Sequence, residues 1–529
     1  MNDIRSIEAA RLEQQAYLDS QKSPKERNLL GQFATPPRLA LDIARYLHRR
    51  WKDRDPVRFL DPAIGTGSFY SALLQAFPHD QIDRAQGCEI DPRFVNAARR
   101  LWGKTDLVIR KADFTQLSPP EDDSRFNLVL TNPPYVRHHH LTRSVKEHLQ
   151  RKVLRSLGLP VNGLAGLYCY FMLLTHEWMQ EGGLAAWLIP TEFMDVNYGQ
   201  ALKRYLLDKV RLIHIHRFQA DDVQFGDALV TSAIVVFEKS RPTSRQKVRF
   251  SSGPSLSRPV ESENVSREDL LNAPKWSVYP RKESARKIQT TTTAMLGDLF
   301  TIKRGLATGA NRFFILSREE ADSHGIPSLA LRPILPSPRY VTEQIIERDP
   351  DGYPAVSPRL ALLDCNIPES VIQREYPRFA DYLEGGKASG IPSGYLASRR
   401  SPWYSQEQRR PAPFLCTYMG RNAGGRSPFR FFLNRSDATA ANVYLLLYPK
   451  GALSVALKNR PDLYVEVLSI LQDIEPEDVV GAGRVYGGGL HKVEPRELAR
   501  VPADTILTII SGVEPASQPE LFPEEYRSR

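Results

Sequence analysis

The sequence predicts an α/β fold built on a parallel-dominated sheet, and three observations carry that reading. Short apolar runs alternate with amphipathic, helix-like stretches from about residue 33 to 250. The runs are apolar at consecutive positions, as strands covered by helices on both faces must be. Acids and glycines collect just beyond them, where open α/β sheets bind ligands.

VRFLDP (57–62) reads as a first strand and SFYSALLQAF as the helix after it. AQGCEI (85–90) is followed by the helix-like PRFVNAARRLW, LVIRKAD ends near 113, and FNLVL (126–130) runs into TNPPYVRHHHL. GGLAAWLIP and SAIVVFEK read as two further buried strands, with GQALKRYLLDKV a helix between them. Residues 31–250 are thus expected to form one domain, preceded by an N-terminal arm, 1–30. Residues 251–295, rich in Ser, Pro, Arg and Glu, read as a connector. Residues 296–529 carry many prolines, short β-type runs such as NVYLLLY and glycine clusters such as YGGGL, and are expected to form a separate mixed α/β domain. No repeat of fixed period is visible.

A chain of 529 residues is long enough for two or three cores, because single cores rarely grow beyond about 250–300 residues. Its formal charge of +10 favours a polyanionic partner. Four cysteines without a CxxC pair argue against a zinc ribbon or a disulfide framework and fit a reducing compartment. The first residues lack a signal-peptide core and no run approaches a membrane-spanning length, so a cytoplasmic protein without a membrane segment is expected.

Asp61, Gly65 and Gly67 of FLDPAIGTGSF fall in the turn between a strand's carboxyl end and a helix's amino end. That turn lacks GK[ST] and differs from GxGxxG, and glycines are common in any tight strand-to-helix loop. The second strand ends on Glu89, where a carboxylate can hydrogen-bond the hydroxyls of a ribose, and the third closes on Asp113 and Phe114. One acid after a strand is usually a solvated turn residue. Acids at three successive strand ends suit a ligand with an adenosine and a positive centre, its adenine packed by Phe114 or Ile90. S-adenosylmethionine fits that description.

NLVLTNPPY ends the fourth strand, and its groups suggest a chemistry. An adenine amino nitrogen is a poor nucleophile because its lone pair is delocalised into the ring. Two acceptors on its hydrogens would localise that pair, and the side-chain oxygen of Asn132 and the backbone carbonyl of Pro133 are suited to the task. Pro133 and Pro134 stiffen the loop, and Tyr135 supplies a ring for stacking. Such an in-line displacement requires orientation and electrostatics but neither a metal nor an ionised base.

The ordered set GQFATPP (31–37), FLDPAIGTGSF (59–69), GCEIDP (87–92), KADF (111–114) and NLVLTNPPY (127–135) resembles the γ-class, adenine-specific DNA methyltransferases of restriction-modification systems, of TaqI type. The resemblance spans nearly all of 31–240. It implies a Rossmann-like class I methyltransferase sheet with a separate C-terminal target recognition domain. It further implies that Thr35 meets the methionine end of the cofactor and that Asp61, Ala63, Gly65, Gly67, Glu89, Ile90, Asp113, Phe114 and Asn132 line the cofactor pocket. Phe225 would face Tyr135 across a flipped-out adenine. The first strand departs from some relatives by ending in DP rather than EP, which bears on the reach of Asp61.

Three consecutive histidines converge poorly on one metal. Arg137, His138 and His140 are instead candidates for DNA phosphates, or belong to a solvated loop. Arginines mixed with aromatics and glycines in the C-terminal half suit a duplex, nominating Lys303, Arg304, Arg312, Arg409 and Arg421. The expected enzyme is a monomer that methylates adenine N6 in double-stranded DNA beside a separately encoded endonuclease. RNA or protein-glutamine methylation by the same NPPY chemistry, or a catalytically inactive DNA-binding relative, stand as alternatives. A fused nuclease is not expected, since PDLYVEVL lacks a lysine after Glu466.

Overall fold

Nine strands form the central sheet of the computed structural model, which describes residues 4–51, 54–218, 232–243, 245–280, 294–421, 427–475, 478–479, 483–486 and 490–510. The chain divides into two compact units, Met1–Arg286 with Tyr486–Gly488, and Lys287–Val485 with Gly489–Arg529.

In the first unit the helices Ile4–Ser20 (α1), Pro24–Leu30 (α2) and Pro37–His48 (α3) precede the sheet. There follow Val57–Asp61 (β1), Ser68–Ala76 (α4), Ile82–Glu89 (β2), Pro92–Trp102 (α5), Leu107–Lys111 (β3) and Phe126–Thr131 (β4). Arg143–Leu157 (α6), Leu167–Thr175 (α7), Met179–Pro190 (β5), Gln200–Asp208 (α8), Arg211–Arg217 (β6) and Ser232–Glu238 (β7) come next. Lys247–Ser252 (β8), Glu261–Ser266 (β9) and Arg267–Asn272 (α9) complete it. The strand order is β3-β2-β1-β4-β5-β7-β6-β8-β9, with β3 through β5 parallel and β7 antiparallel to both neighbours. The order reverses direction between β1 and β4, so the ends of those strands flank the crevice where such sheets bind ligands.

Alternation on the strands explains why both faces are covered. On β5, Leu184, Ala186 and Leu188 join the core beneath α3 to α5, whereas Ala185, Trp187 and Ile189 join the one beneath α7 and α8. On β4, Leu128 and Leu130 point one way and Val129 the other. α5 starts where the sequence says it should: Asp91 accepts from the Arg93 amide at 3.0 Å as N-cap, and Pro92 occupies the first turn.

Three segments differ from expectation. Within the segment expected as an N-terminal arm, α1 is a regular helix in contact with α4 and α5 that buries Arg11 and Leu18, so its described part packs on the domain. RLIHIHR, not anticipated as a strand, is β6. Its alternation is disguised by two fully buried histidines, which are satisfied internally: His214 bonds the Tyr46 hydroxyl at 2.7 Å and Ser251 Oγ at 2.7 Å, and His216 bonds the same Ser251 and the Gly253 carbonyl. Burial pushes both imidazoles down, His214 to about 2 and His216 to about 4, so both are neutral near pH 7.

Residues 251–280 are likewise not a connector but the end of the first unit. β9 pairs antiparallel with β8, and Trp276 and Tyr279, each 1% exposed, pack against Phe250. Ser251, Ser252, Ser262 and Ser266 lie on the paired strands themselves, so a composition rich in Ser and Pro does not separate this edge from a linker.

The second unit holds a five-stranded and a four-stranded sheet. Its strands are Phe300–Arg304 (β10), Ile315–Ser317 (β11), Leu331–Leu335 (β12), Ile345–Ile346 (β13), Leu360–Leu363 (β14), Phe414–Thr417 (β15), Met419–Arg421 (β16), Phe431–Asn434 (β17), Thr439–Ala440 (β18) and Tyr444–Pro449 (β19). The sheets run β10-β19-β15-β17-β13 and β11-β14-β12-β18, and β16 pairs with Leu490–Lys492. Helices Gly451–Asn459 and Leu463–Gln472 pack on the larger sheet through Leu453, Leu457, Val467 and Leu471.

Replacing Trp276 by Ala tests whether 251–280 is integral. Loss of a buried indole is expected to lower stability by about 3–5 kcal/mol, read as a reduced urea midpoint. An unchanged midpoint would return the segment to the status of a linker.

Candidate active site

The turn after β1 is shaped by its own backbone. Asp61 accepts from the Ala63 amide at 3.0 Å, and the Ile64 amide reaches the Cys88 carbonyl on the neighbouring strand at 2.9 Å. Gly67 sits at φ 93° against the Trp102 indole, whose Nε1 donates to the Thr66 carbonyl; a Cβ here would lie 2.4 Å from that nitrogen. Only glycine allows this approach. The turn also delivers the Gly65 amide to Glu89 at 3.1 Å.

Glu89 closes β2 with its carboxylate nearly filled by backbone donors. One oxygen accepts from Gly65, the other from Ile90 at 2.9 Å and Asp91 at 2.8 Å. A carboxylate has about four lone-pair sites, so there is room for one ligand hydroxyl rather than the two expected. Burial raises its pKa, and the three amides oppose that shift. Asp61, only 1% exposed, is pushed up to about 7 by burial. Asp113 accepts from Thr115 through both its amide and hydroxyl. Phe114 is buried against Phe171 and Trp178, whereas Ile90 stands 63% exposed at the pocket rim.

Asn132 lies one residue past β4. Its Nδ2 donates to the Phe33 carbonyl at 2.9 Å and to Thr35 Oγ1 at 3.1 Å. A backbone carbonyl can only accept, so the amide nitrogen must take that side and the oxygen the other. That oxygen is buried and has no hydrogen-bond partner among the described residues. Thr35 therefore holds Asn132, and its own carbonyl accepts from Ser68 Oγ at 3.0 Å.

These groups share one cavity of about 530 Å³. Its lining includes Thr35, Asp61, Ala63, Gly65, Glu89, Ile90, Asp113, Phe114, Asn132, Pro134 and His140. Among the described residues the lining carries four carboxylates, those of Asp19, Asp61, Glu89 and Asp113, and no lysine or arginine. Pro133 and Gly67 stand behind the wall. Tyr135 does so too: its ring is 6% exposed and tilted against Phe33, and its hydroxyl donates to the Leu188 carbonyl at 3.1 Å. Phe225 lies outside the described residues.

Sequence reasoning missed Gln15, Asp19, Leu29 and Leu30 of the N-terminal segment and Leu167 and Phe171 of α7, all of which line the cavity. The last two resemble core positions of an apolar helix. Of the residues nominated for DNA, Arg137 is exposed at the head of the 3-10 turn His138–His140. Lys303 and Arg304 are exposed on β10, an edge strand, and Arg304 stacks over Tyr418. Arg312 and Arg421 are exposed, and Arg409 is paired with Glu407 at 2.8 Å.

Residues 77–224 match the family model of the Eco57I restriction-modification methylase, and residues 279–519 that of the C-terminal domain of the Type II methyltransferase M.Eco57I. The chain is 29% identical over 455 residues to the Type II methyltransferase M.XamI of Xanthomonas campestris pv. amaranthicola, covering 84% of this chain and 80% of that protein. It is 24% identical over 492 residues to M.AccI of Acinetobacter calcoaceticus, covering 90% and 85%. Among solved structures it is similar in fold to the Type IIL restriction-modification enzyme MmeI in complex with DNA, with a TM-score of 0.52 and 13% identity. That likeness covers 88% of this chain but only 62% of MmeI. Both units thus match one kind of enzyme, and the chain is similar over most of its length to the Type II methyltransferases of restriction-modification systems.

Proposed function

We propose that the chain transfers a methyl group from S-adenosylmethionine to the exocyclic N6 of an adenine flipped out of duplex DNA. The observation that carries this reading is the Asn132 amide, with its nitrogen tied down and its buried oxygen unsatisfied in the cavity. An unpaired buried acceptor is costly unless a ligand donor meets it.

The pocket suits the cofactor. Four carboxylates without a lining cation favour a positively charged ligand, Glu89 retains one site for a ribose hydroxyl, and Ile90, Phe114 and Phe171 offer apolar surface to an adenine. When bound, the cofactor supplies an electrophilic methyl on a sulfonium centre. Asn132 accepts an amino hydrogen of the target base, which helps to localise the nitrogen lone pair, and Pro133, behind the wall, stiffens the loop that presents it. Phe225 is assigned to the face of the base, and Tyr135, locked behind the wall through its hydroxyl, to holding the motif rigid. Flipping is required because a paired amino group lies inside the stack. The exposed cations at 137, 303, 304, 312 and 421 are assigned to DNA. We further infer action as a cytoplasmic monomer that protects sites from a separately encoded endonuclease. The match of the C-terminal half to a Type II methyltransferase domain favours DNA over RNA or a protein amide.

Mass spectrometry of nucleosides from methylated duplex DNA tests the base assignment. N6-methyladenine is expected, and N4-methylcytosine would overturn it. Asn132→Ala should lower the single-turnover rate by about 10²-fold or more while leaving cofactor and DNA affinity within a few fold; an undiminished rate would remove the assigned chemistry. Asp61 sets a pH dependence. A cation bound near it lowers its pKa from about 7, so binding below that pH must release a proton. Cofactor affinity should therefore rise from pH 6 to 8 and level off, and calorimetry of Asp61→Asn should show a flatter profile.

A further inference from the structure

The cavity has an outer wall that none of the motifs supplies. Gln15 and Asp19 project from α1 into the lining, and exposed Leu29 and Leu30 extend it. The helix is fixed there by a relay of side chains. Glu8 grips Arg11 through two contacts, at 2.6 and 2.7 Å, and Arg11, itself 1% exposed, donates to Thr66 Oγ1 at 3.1 Å. The Thr66 hydroxyl donates to Gln15 Oε1 at 2.8 Å, and Gln15 Nε2 donates to Asp19 Oδ1 at 3.0 Å. Lys22 continues the attachment by pairing with Asp91 at 2.9 Å. Burying an arginine is unfavourable unless its donors are met, so this docking is specific to the glycine turn.

The relay leaves one group poised. Asp19 has a second carboxylate oxygen without a protein partner among the described residues, on a side chain that lines the pocket. Its place follows from the sheet order β3-β2-β1-β4. The ends of β2 and β3 carry the nucleoside contacts, Glu89, Ile90, Asp113 and Phe114, and the end of β4 carries Asn132. β1 lies between them, and α1 is tied to the turn that follows β1. The ligand branches at its sulfonium into nucleoside, methyl and cationic amino-acid portion; with the first at β2 and β3 and the second facing Asn132, the third is left the turn after β1 that α1 holds through Thr66.

We infer that α1 is a cofactor-binding element in which Asp19, positioned by Gln15, accepts from the α-ammonium of the methionine portion of S-adenosylmethionine. The inference rests on the cofactor assignment made above and deepens it. Arg11 and Gln15 are positioning residues, because they act through Thr66 and Asp19.

The test is calorimetric titration of the full-length chain with S-adenosylmethionine and, separately, with adenosine, which has the nucleoside but no ammonium. Asp19→Asn keeps the shape and removes the charge. It should raise Kd for S-adenosylmethionine about tenfold or more while changing that for adenosine less than twofold. Gln15→Ala should give a smaller change of the same selectivity. Unaltered thermal unfolding of the unliganded variants would show that the fold is intact. Equal loss of both ligands would make Asp19 a structural or ribose-facing residue and overturn the inference, as would a wild-type Kd for S-adenosylmethionine. A wild-type chain that binds neither ligand would overturn the cofactor assignment itself and this inference with it.

Discussion

Two hydrogen bonds from one amide nitrogen organise the site. Asn132 Nδ2 reaches back across 99 residues of sequence to the Phe33 carbonyl and 97 to Thr35 Oγ1. Each bond contributes only about 1 kcal/mol to stability, yet together they decide which way the amide faces. For them to form, the loop 31–35 must press against the backbone beyond β4. Gly31, at φ 64°, allows this: its carbonyl accepts from the Tyr135 amide, and a Cβ would stand 2.4 Å from that same nitrogen. Ser68, at the start of α4, holds the loop from the other side through the Thr35 carbonyl. The amide, the glycine turn and the GQFATPP loop are therefore one mechanical unit, and their fixed order along the chain reflects a packing requirement.

The parts of this assembly legible in the sequence are those where local pattern and global environment agree. β1, β4 and the later part of β5 sit under helices on both sides and are largely apolar, whereas β2 (IDRAQGCE) and the edge strand β3 (LVIRK) carry charges, and acids mark the ends of β1, β2 and β3. Elements were obscured where burial is polar. β6 carries His214 and His216 into the interior, and what makes them tolerable, Tyr46 and Ser251, lies 168 and 37 residues from His214. α1 carries its largest buried side chain as an arginine, so its inward face looks like a solvated one until Glu8 and Thr66 are in place. The lesson from 251–280 is different. Several of its serines lie on paired strands, and two aromatic anchors within it, Trp276 and Tyr279, decide that the segment packs.

Tyr135 shows the limit of reading a motif residue by residue. Its chemistry suggested an open stacking face, and the structure gives it a buried ring with its hydroxyl on a strand carbonyl. Burial raises its phenol well above the usual tyrosine range, so it remains a neutral donor at any working pH. A ring fixed in this way resists rotation, which a side chain free in a loop would not. Rigidity behind the wall and polarity in it are separate tasks, taken by neighbouring residues of the same four-residue motif.

Electrostatics divide the molecule in a similar manner. The chain carries +10 overall, yet the described lining of its cavity is acidic. A polyanion is drawn to the first property and would be repelled by the second, so phosphates are kept outside while a cation is favoured inside. The acids are not equivalent. Asp61 is so deeply buried that it is only partly ionised near neutrality, and Glu89 spends three of its lone-pair sites on backbone amides. On the proposed reading, the demethylated cofactor carries one positive charge fewer than the methylated form, and a pocket of this composition holds it less strongly by Coulombic attraction. The arrangement that attracts the donor thus also weakens retention of what remains after transfer, without any moving part.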